Sequence, residues 1–131
     1  MSDISFFIHS THNLPPFTSG LGVGVVPKAF ARHKIHTTVV ELDPMIYNLT
    51  LTHFGVPEPE EIHITDARAF VSQRAASITL DAKVDERFDY VIHDLQTGGK
   101  YPSHAFTMEF WRDVKVLLKD DGIVSVVSYS L

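Results

Sequence analysis

Three glycines at alternate positions, Gly20, Gly22 and Gly24, form the first motif in the sequence that could serve a ligand. Glycine lets a ligand approach the backbone closely, and a glycine loop that opens a helix presents free amide groups. A dinucleotide-binding fingerprint would need a glycine at position 25, which is Val25 here. The spacing therefore favours a nucleoside without a pyrophosphate, as in enzymes that use sulfonium nucleosides. A glycine-rich turn without a ligand is the alternative.

Two acidic residues lie at the ends of two predicted strands that come after the glycines. Glu41 lies 21 residues after Gly20, and a carboxylate at that spacing can accept hydrogen bonds from both hydroxyls of a ribose. The alternative for Glu41 is a solvated acid at the end of a strand. Asp66 can bind an adenine amino group through its carboxylate, cap the helix that follows, or do both.

Asp94 closes the apolar strand FDYVIHD and precedes a loop that contains Gly98 and Gly99. A carboxylate there can accept a proton from an attacking amine, or hold that amine by a charge-assisted hydrogen bond. Capping of the loop is the alternative role. His93 points to the opposite face of the strand from Asp94, so we expect it to be structural.

The elements that must position these residues alternate between strand and helix. Strand patterns occupy residues 37–42, 62–65, 88–94 and 123–131, and helical patterns follow the glycines, occupy 44–54 and about 67–76, and begin again at Ser103. Strands separated by helices indicate an α/β fold with a mostly parallel, helix-covered sheet. Ligands bind at the carboxyl ends of such strands, so the glycine loop and the three acids should share one edge.

The strand that should lead into the glycine loop is hard to identify. Residues 4–8 (ISFFI) are a candidate for a displaced first strand, but residues 9–19 would then intervene. The segment PPFTS is a poor central strand, because proline cannot donate to a ladder. We therefore expect residues 1–19 to form an irregular segment of a single nucleoside-binding domain that spans residues 1–131.

Composition excludes several classes of protein. With 131 residues, 44% of them hydrophobic and 21% charged, the chain is typical of one soluble globular domain. A net charge of −5 argues against nucleic acid as a partner, and no apolar run is long enough to span a membrane. The sequence has no cysteine, and the pair His9 and His12 has no third ligand nearby, so we expect no metal site. The expected location is cytoplasmic.

The segments GLGVG, TTVVELDP, HFGVPEP, ITDARAFV, FDYVIHDLQTGG and FTMEFWRDVKVLLKDDGIVSVV, in that order, resemble the spermidine/spermine synthase family. The resemblance covers roughly residues 20–127 and is closest to the fungal spermidine-synthase-like members. It implies the Rossmann-like fold of S-adenosylmethionine-dependent methyltransferases, with S-adenosylmethionine or its decarboxylated form as co-substrate. It also implies a small amine acceptor, such as a polyamine.

The resemblance implies a role for each residue of the predicted site. The glycine loop would lie against the nucleoside and Glu41 would hold the ribose. Asp66 and Ala67 would contact the adenine, and Asp94 would hold and deprotonate the amine. The family pattern has a second acid three residues after the first and then a proline, but this sequence has Thr97 and Gly98 there. A carboxylate that would bind a cationic polyamine is thereby missing.

The expected function is therefore transfer of an aminopropyl or methyl group to an amine. The family also has an N-terminal β-rich domain and further C-terminal strands, so we expect a sheet that is incomplete at both ends. A catalytically inactive homologue that binds a ligand or a partner is the alternative interpretation. An NAD-dependent oxidoreductase is a weaker one, because Val25 disfavours it. An open sheet edge would also favour self-association.

Overall fold

The computed structural model describes residues 16–22, 24–82, 84–95 and 102–127. Within these residues, five strands form one sheet and four α-helices connect them. The elements are β1 (Phe17–Ser19), α1 (Val25–Arg32), β2 (Thr38–Glu41), α2 (Pro44–Phe54), β3 (Glu61–Ile64), α3 (Ala67–Leu80), β4 (Phe88–His93), α4 (Met108–Leu117) and β5 (Leu118–Val126). Short 3₁₀ turns occupy Val84–Glu86 and Ser103–Ala105.

All neighbouring strands are parallel, in the order β3-β2-β1-β4-β5. From β1 the chain proceeds outward to β2 and β3 on one side of the sheet and then continues with β4 and β5 on the other, so the strand order switches between β1 and β4. In sheets of this kind the switch point is where ligands bind. The α/β prediction with a parallel sheet is therefore confirmed. Among the described residues, no helix is both long enough and apolar enough to cross a membrane.

The main core lies between the sheet and the helices α3 and α4. Side chains of β1, β2 and β4 alternate between the two faces of the sheet, as strand geometry requires. Phe17, Val40 and Val91 belong to the same buried cluster as Phe70 of α3 and Phe110 of α4. This packing and the parallel pairing of β1 with β4 set the register of the two strands, and so the positions of the residues that follow them.

The central strand β1 corrects the sequence prediction. Residues 17–19 were expected to be irregular, yet Phe17–Ser19 pairs with β2 on one side and β4 on the other. The prolines do not interrupt the hydrogen bonds of the strand because they precede it in the sequence. The carbonyl of Pro16 accepts the N–H of Thr38 at 3.0 Å. Gly20 therefore follows a buried strand directly. The alternative first strand at residues 4–8 lies outside the described residues.

The start of α2 agrees with the prediction at residue level. Asp43 caps the helix by accepting the N–H of Met45 at 2.8 Å, Pro44 is the first helical residue, and Gly55 ends the helix with φ of 59°. A proline costs nothing at this position, and a glycine avoids the strain of a positive φ. The predicted strands in β2, β3 and β4 also form, within about one residue of the expected bounds.

Three predicted boundaries are wrong. The helix α3 continues to Leu80 instead of ending at Ala76, because Ile78 extends the buried stripe of the helix. The 3₁₀ turn at residues 103–105 precedes α4, and the helix begins after Thr107, whose hydroxyl accepts the N–H of Phe110. The last strand begins at Leu118 rather than at residue 123, and residues 119–122 bulge opposite the single residue 89.

Candidate active site

The first glycine of the loop is required by the packing of two strand ends. The N–H of Gly20 donates to Val40 O at 2.9 Å, and the N–H of Asp94 donates to Ser19 O at 3.0 Å. A Cβ at position 20 would lie 2.1 Å from the backbone oxygen of Asp94, and the φ of Gly20 is +86°. Gly20 therefore brings the glycine loop and Asp94 into direct backbone contact.

The other two glycines differ in what surrounds them. Gly24 precedes α1 with φ of +75°, and a Cβ there would lie 2.3 Å from the side chain of Val56. Gly22 has φ of +51°, yet a Cβ there would meet nothing within 4 Å. The hydroxyl of Thr50 holds the carbonyl of Gly22 at 2.6 Å. Gly22 is thus the glycine of this loop beside which space is open to a ligand.

Glu41 is tied to the glycine loop by its carboxylate. Its Oε2 accepts the N–H of Leu21 at 2.9 Å, and its Oε1 accepts the N–H of Asp43 at 3.0 Å. These bonds fix both oxygens at the carboxyl end of β2. A carboxylate offers about four lone-pair sites, so each oxygen retains capacity for one further donor. Two hydroxyl groups on neighbouring carbon atoms, as in a ribose, match that remaining capacity.

Asp66 caps α3, as one of the two predicted roles requires. Its Oδ1 accepts the N–H of Ala69 at 3.1 Å, and its Oδ2 lies 2.7 Å from Nε2 of His104. Burial acts to raise the pKa of Asp66, but the hydrogen bonds from His104 and Ala69 outweigh it and lower this pKa below its ordinary value. Thr65 donates its N–H to Glu41 O at 3.0 Å, which places Asp66 next to the end of β2.

Ala67 contributes its backbone rather than its side chain. The side chain is 4% exposed and belongs to the main core cluster. As the first residue of α3, Ala67 has an N–H without a partner inside the helix. An adenine contact at this position would therefore be a backbone contact.

Asp94 follows β4 at the opposite side of Gly20 from Glu41. The side chain is half-buried, and burial raises the pKa of its carboxyl group. Within the described residues, no hydrogen bond or ion pair to this carboxylate is found. Gly98 and Gly99, in the loop predicted after β4, lie outside those residues. A half-buried carboxylate with unused acceptor capacity is suited to take a proton.

His93 lies in the core beneath Asp94, which agrees with its predicted structural role. It is fully buried, with Nδ1 2.8 Å from Ser19 Oγ and with the rings of Phe106, Phe110 and Trp111 around it. Burial lowers the pKa of His93 to about 4, so the ring is neutral at physiological pH. The Ser19–His93 pair joins the ends of β1 and β4 below the glycine loop.

The structure thus brings the glycine loop and the predicted acids together at the carboxyl edge of the sheet. It also places His104 there, a residue that was not predicted from the sequence. The contact of His104 with Asp66 spans 38 residues, so no local pattern could have indicated it. Among the described residues, no cluster of three His, Asp or Glu side chains could hold a metal ion. His9 and His12 are outside the described ranges.

The family model for the spermine/spermidine synthase domain matches residues 20–131. An N-terminal histidine N-methyltransferase of Emericella nidulans is 41% identical over 107 residues, which cover 82% of this chain and 18% of that protein. A polyamine aminopropyltransferase of Vibrio vulnificus is 27% identical over 115 residues, which cover 85% of this chain and 36% of that protein. The chain therefore spans about a fifth to a third of the length of these curated relatives.

Two solved structures share the fold. Human methyltransferase-like protein 13 in complex with SAH superposes with a TM-score of 0.74 at 20% identity, over 86% of this chain and 53% of that one. A probable spermidine synthase from Corynebacterium glutamicum superposes with a TM-score of 0.69 at 24% identity, over 90% and 41% of the two chains. The chain has the Rossmann-like fold of S-adenosylmethionine-dependent methyltransferases, and it belongs to the spermine/spermidine synthase family.

Proposed function

We propose that this chain is an S-adenosylmethionine-dependent N-methyltransferase domain whose acceptor is a nitrogen nucleophile. The observation that carries the proposal is the bond between the Glu41 carboxylate and the Leu21 N–H, which joins an acidic strand end to the glycine loop. A nucleoside needs that combination, because its ribose donates two hydrogen bonds to the carboxylate and lies against the backbone of the glycine loop. The family to which the chain belongs supports the same class of ligand.

In the proposed complex each residue at the carboxyl edge of the sheet has a separate role. Glu41 accepts the two ribose hydroxyl groups, Gly22 leaves room for the nucleoside, and Asp66 accepts the adenine amino group. The co-substrate supplies an electrophilic methyl carbon on a positively charged sulfur. This arrangement needs no phosphate contact, which agrees with Val25 in place of the third glycine of a dinucleotide motif.

Asp94 is the catalytic residue of the proposed reaction. The lone pair of the acceptor nitrogen forms a bond to the methyl carbon, the bond from that carbon to sulfur breaks, and its electron pair stays on sulfur. A nitrogen that carried a hydrogen must then lose a proton, and the Asp94 carboxylate accepts it or holds the N–H beforehand. Burial raises the pKa of Asp94, which strengthens it as a base.

Methyl transfer is preferred over aminopropyl transfer for two reasons. The relative with 41% identity is named an N-terminal histidine N-methyltransferase, whereas the one named an aminopropyltransferase has 27% identity. Thr97 also stands where the family pattern has the second acid, and a cationic polyamine would lose an ion-pair partner there. A peptide with an N-terminal histidine is therefore the first acceptor to test.

The test is a transfer assay read by mass spectrometry. The chain is incubated with S-adenosylmethionine and a short peptide that begins with histidine, and with a matched peptide in which the histidine is internal. We expect a gain of one methyl group on the first peptide alone. Methylation of neither peptide, in a folded chain that binds S-adenosylhomocysteine, would reject a histidine peptide as the acceptor.

Aminopropyl transfer is the second candidate, and the family match is what favours it. The same assay with decarboxylated S-adenosylmethionine and putrescine or spermidine tests it directly. Formation of the longer polyamine, with no methylated peptide, would replace methyl transfer by aminopropyl transfer. If the chain binds the nucleoside but transfers neither group to these acceptors, the alternative of a ligand-binding domain without catalysis gains support.

A further inference from the structure

His104 connects the segment before α4 to the start of α3. Its Nε2 lies 2.7 Å from Oδ2 of Asp66, and Arg68 Nη1 donates to Thr107 Oγ1 at 3.0 Å. Ala105, between these two contacts, is fully buried in the main core cluster. Residues 102–107 are therefore held at two points against the end of α3 that carries Asp66.

The contact between His104 and Asp66 would not be expected from the order of the strands. His104 follows β4, but Asp66 follows β3, and β2 and β1 lie between those two strands. Three steps of about 4.8 Å separate β3 from β4, which gives roughly 14 Å. Ten residues after Asp94, the chain thus reaches the opposite side of the candidate site, beside the acid expected to bind the base.

The carboxylate of Asp66 is surrounded by donors and keeps free acceptor capacity. Oδ1 takes the N–H of Ala69, Oδ2 takes the contact from His104, and the backbone N–H of Arg68 also stabilises the charge, which leaves at least one of about four lone-pair sites. The side chain is 35% exposed, so the remaining sites face solvent. The hydrogen bonds that lower the pKa of Asp66 also keep it ionised, and an ionised carboxylate can only accept.

We propose that His104 is a positioning residue that fixes Oδ2 of Asp66 towards the base, so that the site selects adenine over a purine with a six-position carbonyl. Rotation of an aspartate carboxylate about its last bond is only weakly restricted by itself. The bond from His104 to Oδ2 adds a second fixed point to the cap bond between Oδ1 and the Ala69 N–H, so that both oxygens are held before a ligand binds. The amino group of adenine then donates to an oriented acceptor. A carbonyl oxygen at the same position would face the carboxylate and be repelled. This inference rests on the proposed function, since it assumes that a nucleoside binds at this edge.

The experiment compares two ligands on the whole chain by titration calorimetry. S-adenosylhomocysteine carries the amino group, and S-inosylhomocysteine carries a carbonyl oxygen in its place. We expect wild type to bind the adenine compound at least about tenfold more tightly. His104→Ala should reduce that ratio at least about threefold by weakening the adenine compound, and His104→Gln, which keeps an N–H donor, should restore most of it.

His36→Ala is the matched control. His36 contacts Glu60 near the amino ends of β2 and β3, so this variant removes a similar histidine–carboxylate pair at the other edge of the sheet. We expect it to keep the wild-type ratio. An unchanged ratio in a folded His104→Ala chain, or no preference in wild type, would overturn the inference alone. A wild-type chain that binds neither compound would overturn the proposed function and the inference with it.

Discussion

The two halves of the carboxyl edge hold their acids in different ways. The half that we propose binds the nucleoside (the nucleoside half) consists of the glycine loop, Glu41 and Asp66, and backbone N–H groups of Leu21, Asp43 and Ala69 fix its carboxylates. The half that we propose binds the acceptor (the acceptor half) consists of Asp94, which follows β4. Its carboxylate has no hydrogen bond or ion pair among the described residues, and it is positioned by the core beneath it.

This difference suits two different tasks. Oxygens that are held by main-chain donors form a preorganised surface for a ligand, because little freedom is lost on binding. A carboxylate whose pKa is raised by burial is a better proton acceptor, but it offers no rigid surface. Substitutions in the two halves should therefore separate binding from turnover.

Asp94→Asn should give the largest change. The amide cannot accept a proton from the acceptor nitrogen, so turnover should fall by about 10² to 10⁴. The affinity for S-adenosylhomocysteine should change less than about threefold, because the nucleoside half is intact. Asp121→Asn, at an exposed carboxylate in the bulge of β5, is the control and should leave both quantities unchanged. Equal losses of binding and turnover in Asp94→Asn would contradict the division of the edge into a half that binds the nucleoside and a half that accepts the proton.

Glu41→Gln should have the opposite effect. The amide of glutamine has one acceptor oxygen instead of two, so one ribose hydroxyl loses its acceptor in the complex at a cost of about 1 to 3 kcal/mol. Calorimetry should show S-adenosylhomocysteine binding weakened about 10- to 100-fold, with turnover at saturation changed much less. The control is Glu58→Gln, in the exposed loop before β3. Unchanged affinity in Glu41→Gln would remove the basis of the proposed function.

His93 links the acceptor half to the pH dependence of stability. Its pKa is about 4 in the folded chain, whereas the ordinary value of 6.5 applies to the unfolded chain. Below pH 6.5 the unfolded chain therefore binds a proton that the folded chain does not bind. Stability is therefore lost as the pH falls from 6.5 towards 4. The loss is about 2 kcal/mol at pH 5.

His93→Phe removes the titrating group and keeps an aromatic ring in the core. Urea unfolding at about pH 7.5 and about pH 5 should then show a drop in stability that is about 2 kcal/mol smaller in the variant. An equal drop in both proteins would mean that the buried ring is not the group responsible.

The smallest predicted effect concerns Gly22. A Cβ there meets open space, so Gly22→Ala should cost about 1 kcal/mol of stability, from its positive φ alone. Gly55→Ala is a close match, with φ of +59° and nothing within 4 Å of the added Cβ. Both variants should melt alike, while Gly22→Ala alone weakens S-adenosylhomocysteine binding. Equal affinity in the two variants would place the ligand away from Gly22.

Much of the nucleoside half was accessible from the sequence because its signals are local. The cap at Asp43, the closing Gly55, the acid that ends β2 and the acid that follows β3 depend on residues close to each other in the chain. Short-range rules for caps and for strand ends apply directly to such features. The fold class followed from the same local patterns.

The errors arose where tertiary contacts decide. β1 is a strand of three residues that reads as a turn, and its stability comes from pairing with β2 and β4 on both sides. The bulge in β5 depends on its register against β4, and the contact of His104 with Asp66 joins residues that are 38 positions apart. Neither register nor distant contact leaves a pattern in a single sequence.

The most direct test of the account is a calorimetric titration of the wild-type chain with S-adenosylhomocysteine, with NAD as the comparison ligand. We expect a saturable one-site heat for the sulfur nucleoside and none for NAD at the same concentration. Glu41→Gln should remove most of that heat. Absence of binding by S-adenosylmethionine, its decarboxylated form and S-adenosylhomocysteine, or binding of NAD in their place, would contradict it.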